Sequence, residues 1–253
     1  IKTICNCWGF SVFHYKLMEY VLLTGVTSSI GESIAISLSE KYIIILGGRN
    51  LKEISAIKDK LNGDIHLIWH CDFMEEGVAE SLILFLMTNN IQPSHFLHLG
   101  GLFKIAPIRL QKIEDTRKVF QVNVFSAIEI MSVLSRKKYK TNLKNVLFFS
   151  SLSSIRGKPG YAVYASAKSA LFGLMSSLAL ELKPIKINTI VLGAVKTKAT
   201  QFILNEKEEY FEEHIPLGLA KKNVLDHWML FLLEGKTWMT GQKIIIDGGT
   251  SVL

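Results

Sequence analysis

The chain has 253 residues, 49% of them hydrophobic, with five prolines and no long Gly/Ser, Pro or acidic tract, which excludes extended disorder and a flexible internal linker and favours one compact domain. Its formal net charge of +7 is dispersed apart from Arg136, Lys137, Lys138 and Lys140, a cluster that reads as a solvated helix end and not as a nucleic-acid groove. Three cysteines, Cys5, Cys7 and Cys71, supply neither an even disulfide framework nor a four-ligand zinc set, so no metal is expected and a cytoplasmic, reducing setting is.

Residues 1–17 mix Cys, Trp, Phe, His and Lys without the basic-then-apolar order of a secretory signal. The first clear strand follows Met18, so 1–17 is expected to be a dispensable N-terminal extension and 18–253 the domain. From there apolar runs of strand length, at 20–23, 42–46, 65–70, 96–99, 145–149, 186–191 and 243–246, alternate with stretches of helical period at 31–40, 51–61, 75–87, 116–136, 161–182 and 224–233. That alternation predicts βαβ units: an α/β, Rossmann-like, doubly wound parallel sheet of seven strands with helices on both faces. No apolar run approaches the about 18 residues of a membrane span. The stretch 194–214, with Gln201, Phe202, Tyr210 and Phe211, is a candidate lid over a substrate pocket.

The first strand runs into Thr24-Gly25-Val26-Thr27-Ser28-Ser29-Ile30-Gly31 and then a helix. Glycines at a sharp strand-to-helix turn leave free backbone N–H groups at the positive end of a helix dipole, a geometry that binds a pyrophosphate. At the end of the second strand, Gly47-Gly48-Arg49-Asn50 lacks the acidic residue that accepts hydrogen bonds from a ribose. Gly48 leaves room for a 2′-phosphate instead, and Arg49 offers it a planar fork of donors, which favours NADP(H) over NAD(H). The alternative for Arg49 is an ordinary surface arginine.

Tyr164-Ala165-Ser166-Ala167-Lys168 lies in a helical pattern, so Tyr164 and Lys168 share a face. An ammonium near a phenol stabilises the phenolate and brings its pKa towards the working range of a general acid and base. Ser151 stands thirteen residues before Tyr164, at a strand end where open α/β sheets bind ligands. Ser150, Ser153 and Ser154 compete for its role.

These segments, in this order, resemble the short-chain dehydrogenase/reductase family over 19–249, and members acting on 3-oxoacyl-acyl-carrier-protein in particular. The resemblance implies that Ser151 holds the substrate oxygen, that Asn123 in Phe120-Gln121-Val122-Asn123-Val124 supports a proton relay running through Lys168, and that Asp72 contacts the adenine. It implies further that Gly25, Thr27, Ser28, Ser29, Ile30, Gly31, Arg49, Asp72, Gly100, Tyr164, Lys168, Val195 and Thr197 bind the cofactor. Helix N-caps are the alternative roles of Asp72 and Thr197. Three places depart from the pattern: Ser29 replaces a glycine, Leu192 replaces a proline, and His98-Leu99-Gly100-Gly101 keeps only the last residue of the family's Asn-Asn-Ala-Gly. His98 reads as a core or adenosine-pocket residue.

The expected activity is hydride transfer between NADP(H) and a small-molecule carbonyl or alcohol, with no nucleic-acid or membrane partner. The expected assembly is a homotetramer pairing through helices 116–136 and 161–182 and the last strand. The alternative on the same fold is a nucleotide-binding sensor or scaffold that has lost catalysis.

Overall fold

The computed structural model describes residues 18–198, 200–201, 208–235 and 237–253. Residues 1–17, and with them the expected extension, lie outside the described residues, as does Phe202 of the expected lid.

Seven strands form one parallel sheet: β1 Tyr20–Thr24, β2 Ile43–Gly48, β3 Leu67–His70, β4 His95–His98, β5 Asn145–Ser151, β6 Lys186–Leu192 and β7 Lys243–Ile246. Their order is β3-β2-β1-β4-β5-β6-β7. The order reverses between β1 and β4, so the helices leaving these two strands go to opposite faces and a crevice opens at the strands' C-terminal ends. Thr24 pairs with His98 at that point, which fixes where the site must be.

Nearly continuous apolar strands fit burial on both faces. Leu22, Phe96, Val146, Phe148 and Ile187 point into one core, closed by α3 Val78–Thr88, α5 Ser126–Leu134 and α7 Ala162–Glu181. Their strand neighbours Val21, Leu23, Leu97, Leu147 and Ile190 point into the other, closed by α1 Ser29–Ser39, α2 Leu51–Lys58 and the helix Asp226–Leu233. Helix α7 has the length and composition of a membrane span. Its residues Val163, Ala167, Leu171, Met175 and Ala179 are nonetheless buried inside the domain.

The helix expected over 116–136 differs in detail. It starts at Ile113 as α4, Ile113–Phe120, widens into a π turn at Gln121–Phe125 and resumes as α5. Such a bulge marks functional sites in many helices, and Asn123 sits at its centre. The helix expected from 75 starts at Val78, because Gly77 at φ +85 holds a left-handed turn before it.

Candidate active site

The turn after β1 is a tight cradle. Gly25 has φ +69, and a Cβ there would lie 2.6 Å from the carbonyl of Leu99 and 2.7 Å from the nitrogen of Gly100. A Cβ on Gly31 would lie 2.4 Å from the Gly25 oxygen. The two backbone segments at the β1/β4 crevice therefore touch, and only glycine fits between them. Ser28 caps α1, its Oγ accepting from the Gly31 N–H at 3.0 Å, while Thr27, Ser29 and Ile30 are half-buried on the rim. Ser29 Oγ accepts from the Lys198 N–H at 3.2 Å. The serine that departs from the family pattern thus ties the turn to the segment after β6.

At the end of β2, Arg49 and Asp72 come together, with Nη1 3.4 Å from Oδ2 and the Arg49 side chain 58% exposed. Asp72 Oδ1 accepts from the Met74 N–H. It closes its own turn and does not cap α3. A Cβ on Gly48 would lie 3.2 Å from the end of the Ile54 side chain, so the glycine lets α2 pack close against the end of β2.

Tyr164 and Lys168 occupy the first turns of α7 and face the β5 exit. The Tyr164 hydroxyl lies close enough to Ser151 for that serine to lower its pKa, and Phe103 meets its ring edge-to-face at 4.8 Å. The rival serines are engaged elsewhere. Ser150 donates to the Lys168 carbonyl, Ser154 to the Ser151 carbonyl, and Ser153 donates to Ser151 Oγ. Ser151 is therefore the serine whose own hydroxyl proton can turn to a ligand.

Lys168 is 4% exposed and donates to the Phe149 carbonyl at 2.9 Å. Burial brings its pKa down to about 8. Tyr164 runs against expectation: burial pushes its phenol up to about 12, the Ser151 hydroxyl pulls the other way, and Tyr161 adds to the rise. Lys168 does not offset this burial, because its Nζ is turned to Phe149 and lies 6.0 Å from the Tyr164 ring centre.

Asn123 is fully buried. Its Nδ2 donates to the carbonyls of Leu102 and Val119 at 3.0 and 2.8 Å, and its Oδ1 has no partner. A Cβ on Gly101 would lie 3.1 Å from this Oδ1 and 3.2 Å from Lys168 Nζ. The glycine that matches the family pattern therefore keeps a small polar space open between Asn123 and Lys168.

Beyond β6, Val195 is buried, bridges to Ala220, and its carbonyl accepts from Thr200 Oγ1 at 2.6 Å. Thr197 Oγ1 lies 3.0 Å from Thr200 Oγ1 and accepts from the Thr200 N–H. It holds Thr200 close to Thr197, near the capping role weighed for it. Ser151, Tyr164, Val195 and Thr197 line one cleft of about 250 Å³, which Phe103 and Phe211 help to close. Phe211, on the helix Glu208–His214, reaches the cleft as a lid residue should, while Tyr210 and Gln201 are exposed. A larger hollow of about 1090 Å³ at the N-terminal strand ends, around Glu19, Tyr42 and Lys144, holds none of the expected residues and is remote from the crevice.

Three contributors had no clear signal in the sequence: Phe103, Tyr161 and Thr24. The aromatics come from loops, and Thr24 shows its role only through its bonds to His98 Nδ1 at 3.0 Å and from the Gly100 N–H at 3.2 Å.

The fold, the glycine cradle and this cleft define a nicotinamide-type oxidoreductase architecture, and the family model described as Enoyl-(Acyl carrier protein) reductase matches residues 25–251. The chain belongs to the short-chain dehydrogenase/reductase family of oxidoreductases. It is 27% identical over 252 residues to glucose 1-dehydrogenase of Gluconobacter oxydans, covering 92% of this chain and 91% of that one. It is also 27% identical over 237 residues to a 3-oxoacyl-acyl-carrier-protein reductase of Rickettsia conorii, covering 90% and 95%. Among solved structures, a putative gluconate dehydrogenase from Agrobacterium tumefaciens superposes with a TM-score of 0.87 at 20% identity, over 93% of this chain and 96% of that one. ElxO with NADP bound superposes with a TM-score of 0.83 at 22% identity, over 94% and 100%.

Proposed function

We propose that the protein is an NADP(H)-dependent reductase of a small-molecule carbonyl, with Tyr164 as its general acid. The observation that carries this reading is that Ser151 and Tyr164 line one apolar cleft, while Asn123 and Lys168 lie buried on either side of Gly101 beside the glycine cradle. The cradle fits a dinucleotide: its glycines leave no room for a Cβ, and the α1 N-terminus presents free N–H groups to phosphate. Thr27, Ser28, Ser29 and Ile30 would border the pyrophosphate, Gly100 and Asp72 the adenosine, and Val195 and Thr197 the nicotinamide. Arg49 is the group for a 2′-phosphate, exchanging its exposed Asp72 pairing for a bidentate one. NADPH bound there supplies the hydride.

The chain's own residues manage the proton. Tyr164, protonated at neutral pH, donates to the substrate oxygen, and Ser151 orients that oxygen through its hydroxyl. Asn123 Oδ1 and Lys168 Nζ flank the space beside Gly101 and hold the path by which Tyr164 is reprotonated. An apolar cleft around two hydroxyls suits a carbonyl compound with an apolar body.

The same reading places the enzyme in the cytoplasm as a homotetramer. Exposed Phe125 and Ile128 on the π turn and α5, and Trp228, Phe231 and Ile245 near the β7 edge, are faces a partner copy would cover. Residues 1–17 precede every motif of the site, and a chain starting at Met18 is expected to bind NADPH.

The test is a titration with NADPH followed by a panel of ketones, read as loss of nicotinamide absorbance. Tight NADPH binding with turnover of at least one ketone supports the reading. Binding without turnover across the panel supports the sensor or scaffold alternative, and no binding rejects both.

A further inference from the structure

His98 is a histidine where the family pattern has asparagine, and it is 0% exposed at the crevice between β1 and β4. Its Nδ1 lies 3.0 Å from Thr24 Oγ1, and the same oxygen accepts from the Gly100 N–H at 3.2 Å. Nε2 faces backbone carbonyls, which only accept, so the histidine's proton belongs on Nε2 and Thr24 donates its own proton to Nδ1. Nε2 has no partner of normal geometry. It faces the backbone carbonyls of Asn123 and Val122 on the π turn. Burial drives the ring's pKa down to about 3, with the Lys168 charge acting in the same direction, so the ring is neutral and one chain of polar contacts passes through it. It runs from the Gly100 N–H through the Thr24 hydroxyl and the His98 ring to the turn that carries Asn123.

We propose that His98 is a positioning residue, a buried strut that couples the glycine cradle, through Thr24 and Gly100, to the π turn that aims Asn123 at Lys168. Gly100 belongs to the cradle because its backbone touches Gly25. Asn123 belongs to the relay because its Oδ1 and the Lys168 Nζ flank Gly101. Two buried polar atoms on these neighbouring residues, His98 Nε2 and Asn123 Oδ1, lack partners of normal geometry. A dinucleotide pressing on the cradle shifts Thr24 and Gly100, and the rigid ring passes that shift to the π turn. The inference rests on the functional reading above in taking NADPH as the ligand of the cradle.

The test compares the parent chain with His98→Gln, His98→Asn and His98→Leu. Glutamine places its amide nitrogen near the position of Nε2, whereas asparagine reaches only as far as Nδ1. Amide hydrogen exchange at Gln121–Phe125 is followed with and without NADPH, alongside NADPH affinity and melting temperature. In the parent and in His98→Gln, NADPH is expected to slow exchange in the π turn by about tenfold, the scale of ordinary coupling between sites. In His98→Asn and His98→Leu, NADPH still binds but the slowing disappears. Rescue by glutamine and not by asparagine separates a strut from simple core filling. Full slowing in His98→Asn overturns the proposal alone, as does loss of slowing in His98→Gln at an unchanged melting temperature. Failure of the parent to bind NADPH overturns the functional reading with it. Should His98→Leu not fold, the glutamine and asparagine variants decide.

Discussion

Tyr164 is kept protonated by its own burial, with a pKa of about 12, so the cofactor-free protein is poised to give a proton rather than take one. Replacing it with phenylalanine removes the donor but leaves the ring against Phe103. Tyr164→Phe is expected to lower kcat for ketone reduction by about 10²–10⁴-fold with NADPH affinity unchanged, measured by turnover and by equilibrium titration. Alcohol oxidation needs the phenolate, so its rate should rise with pH across the alkaline range, a trend that a pH-rate profile checks directly. In the proposed reading, cofactor choice rests on one guanidinium. Arg49→Ala should weaken NADPH by roughly tenfold to a hundredfold and leave NADH nearly unaffected, given the strength of charge-assisted bonds. Equal losses for both cofactors would remove Arg49 from the 2′-phosphate site. At this scale the identities of Tyr164, Lys168, Ser151 and Asn123 were legible because helix period and strand ends dictate where such side chains point. The raised pKa of Tyr164 was not, since it comes first from how deeply the packed domain buries the phenol.

Two turns decide whether those side chains meet. Gly101 borders both Asn123 Oδ1 and Lys168 Nζ, at 3.1 and 3.2 Å from where a Cβ would stand. Neither neighbour is backbone, so Gly101→Ala is expected to fold and to push the two polar groups apart by tenths of an ångström. A turnover loss of about 10–100-fold with little change in melting temperature follows, because small misplacements in a relay are felt in rate before stability. Gly25→Ala is the contrasting case. Its Cβ would strike the Leu99 and Gly100 backbone at a positive φ, and a loss of several kcal/mol of stability, on the order of 3, is expected from calorimetry. The positions of all seven strands were readable from apolar runs. The π turn at Gln121–Phe125 was not, because its sequence has the same helical period as a regular helix, and the bulge arises where Asn123 bonds Leu102 from another segment.

For the whole molecule, buried histidines set the acid limit: burial lowers the pKa of His66, and that of His95 and His98 the most. Burial holds His95 down at about 4 and His98 down at about 3, against roughly 6.5 in an unfolded chain. Both folded values are depressed, so the unfolded state takes up protons first. Stability is fully present above about pH 6.5 and is lost as pH falls towards the folded values, by on the order of 3 kcal/mol or more in total. Urea unfolding between about pH 7 and pH 4 should show this decline, and His98→Asn should flatten it. A profile that is flat down to about pH 4 would falsify the neutral burial of both rings. Lys168 acts at the other end: its pKa of about 8 lies below the unfolded value of roughly 10.4, so stability should rise with pH between them, and Lys168→Met should abolish that rise. The exposed apolar faces on α5 and at the β7 edge predict a tetramer in sedimentation at micromolar concentration, and a monomer there would remove the assembly proposal.

By itself the sequence determined the alternation of strands and helices, the tight glycine turn at Gly25 and Gly31, and the Ser151, Tyr164 and Lys168 spacing. Each of these is a local pattern of polarity or backbone freedom, expressed within one element and its flanking turns. Only the tertiary structure decided that Ser29 tethers the segment after β6, that Thr24 and His98 bridge two strands, that Asn123 sits on a π turn, and that Lys168 bonds Phe149. Those are contacts between segments far apart in the chain, and they exist because the sheet reverses between β1 and β4 and brings four strand ends to one crevice.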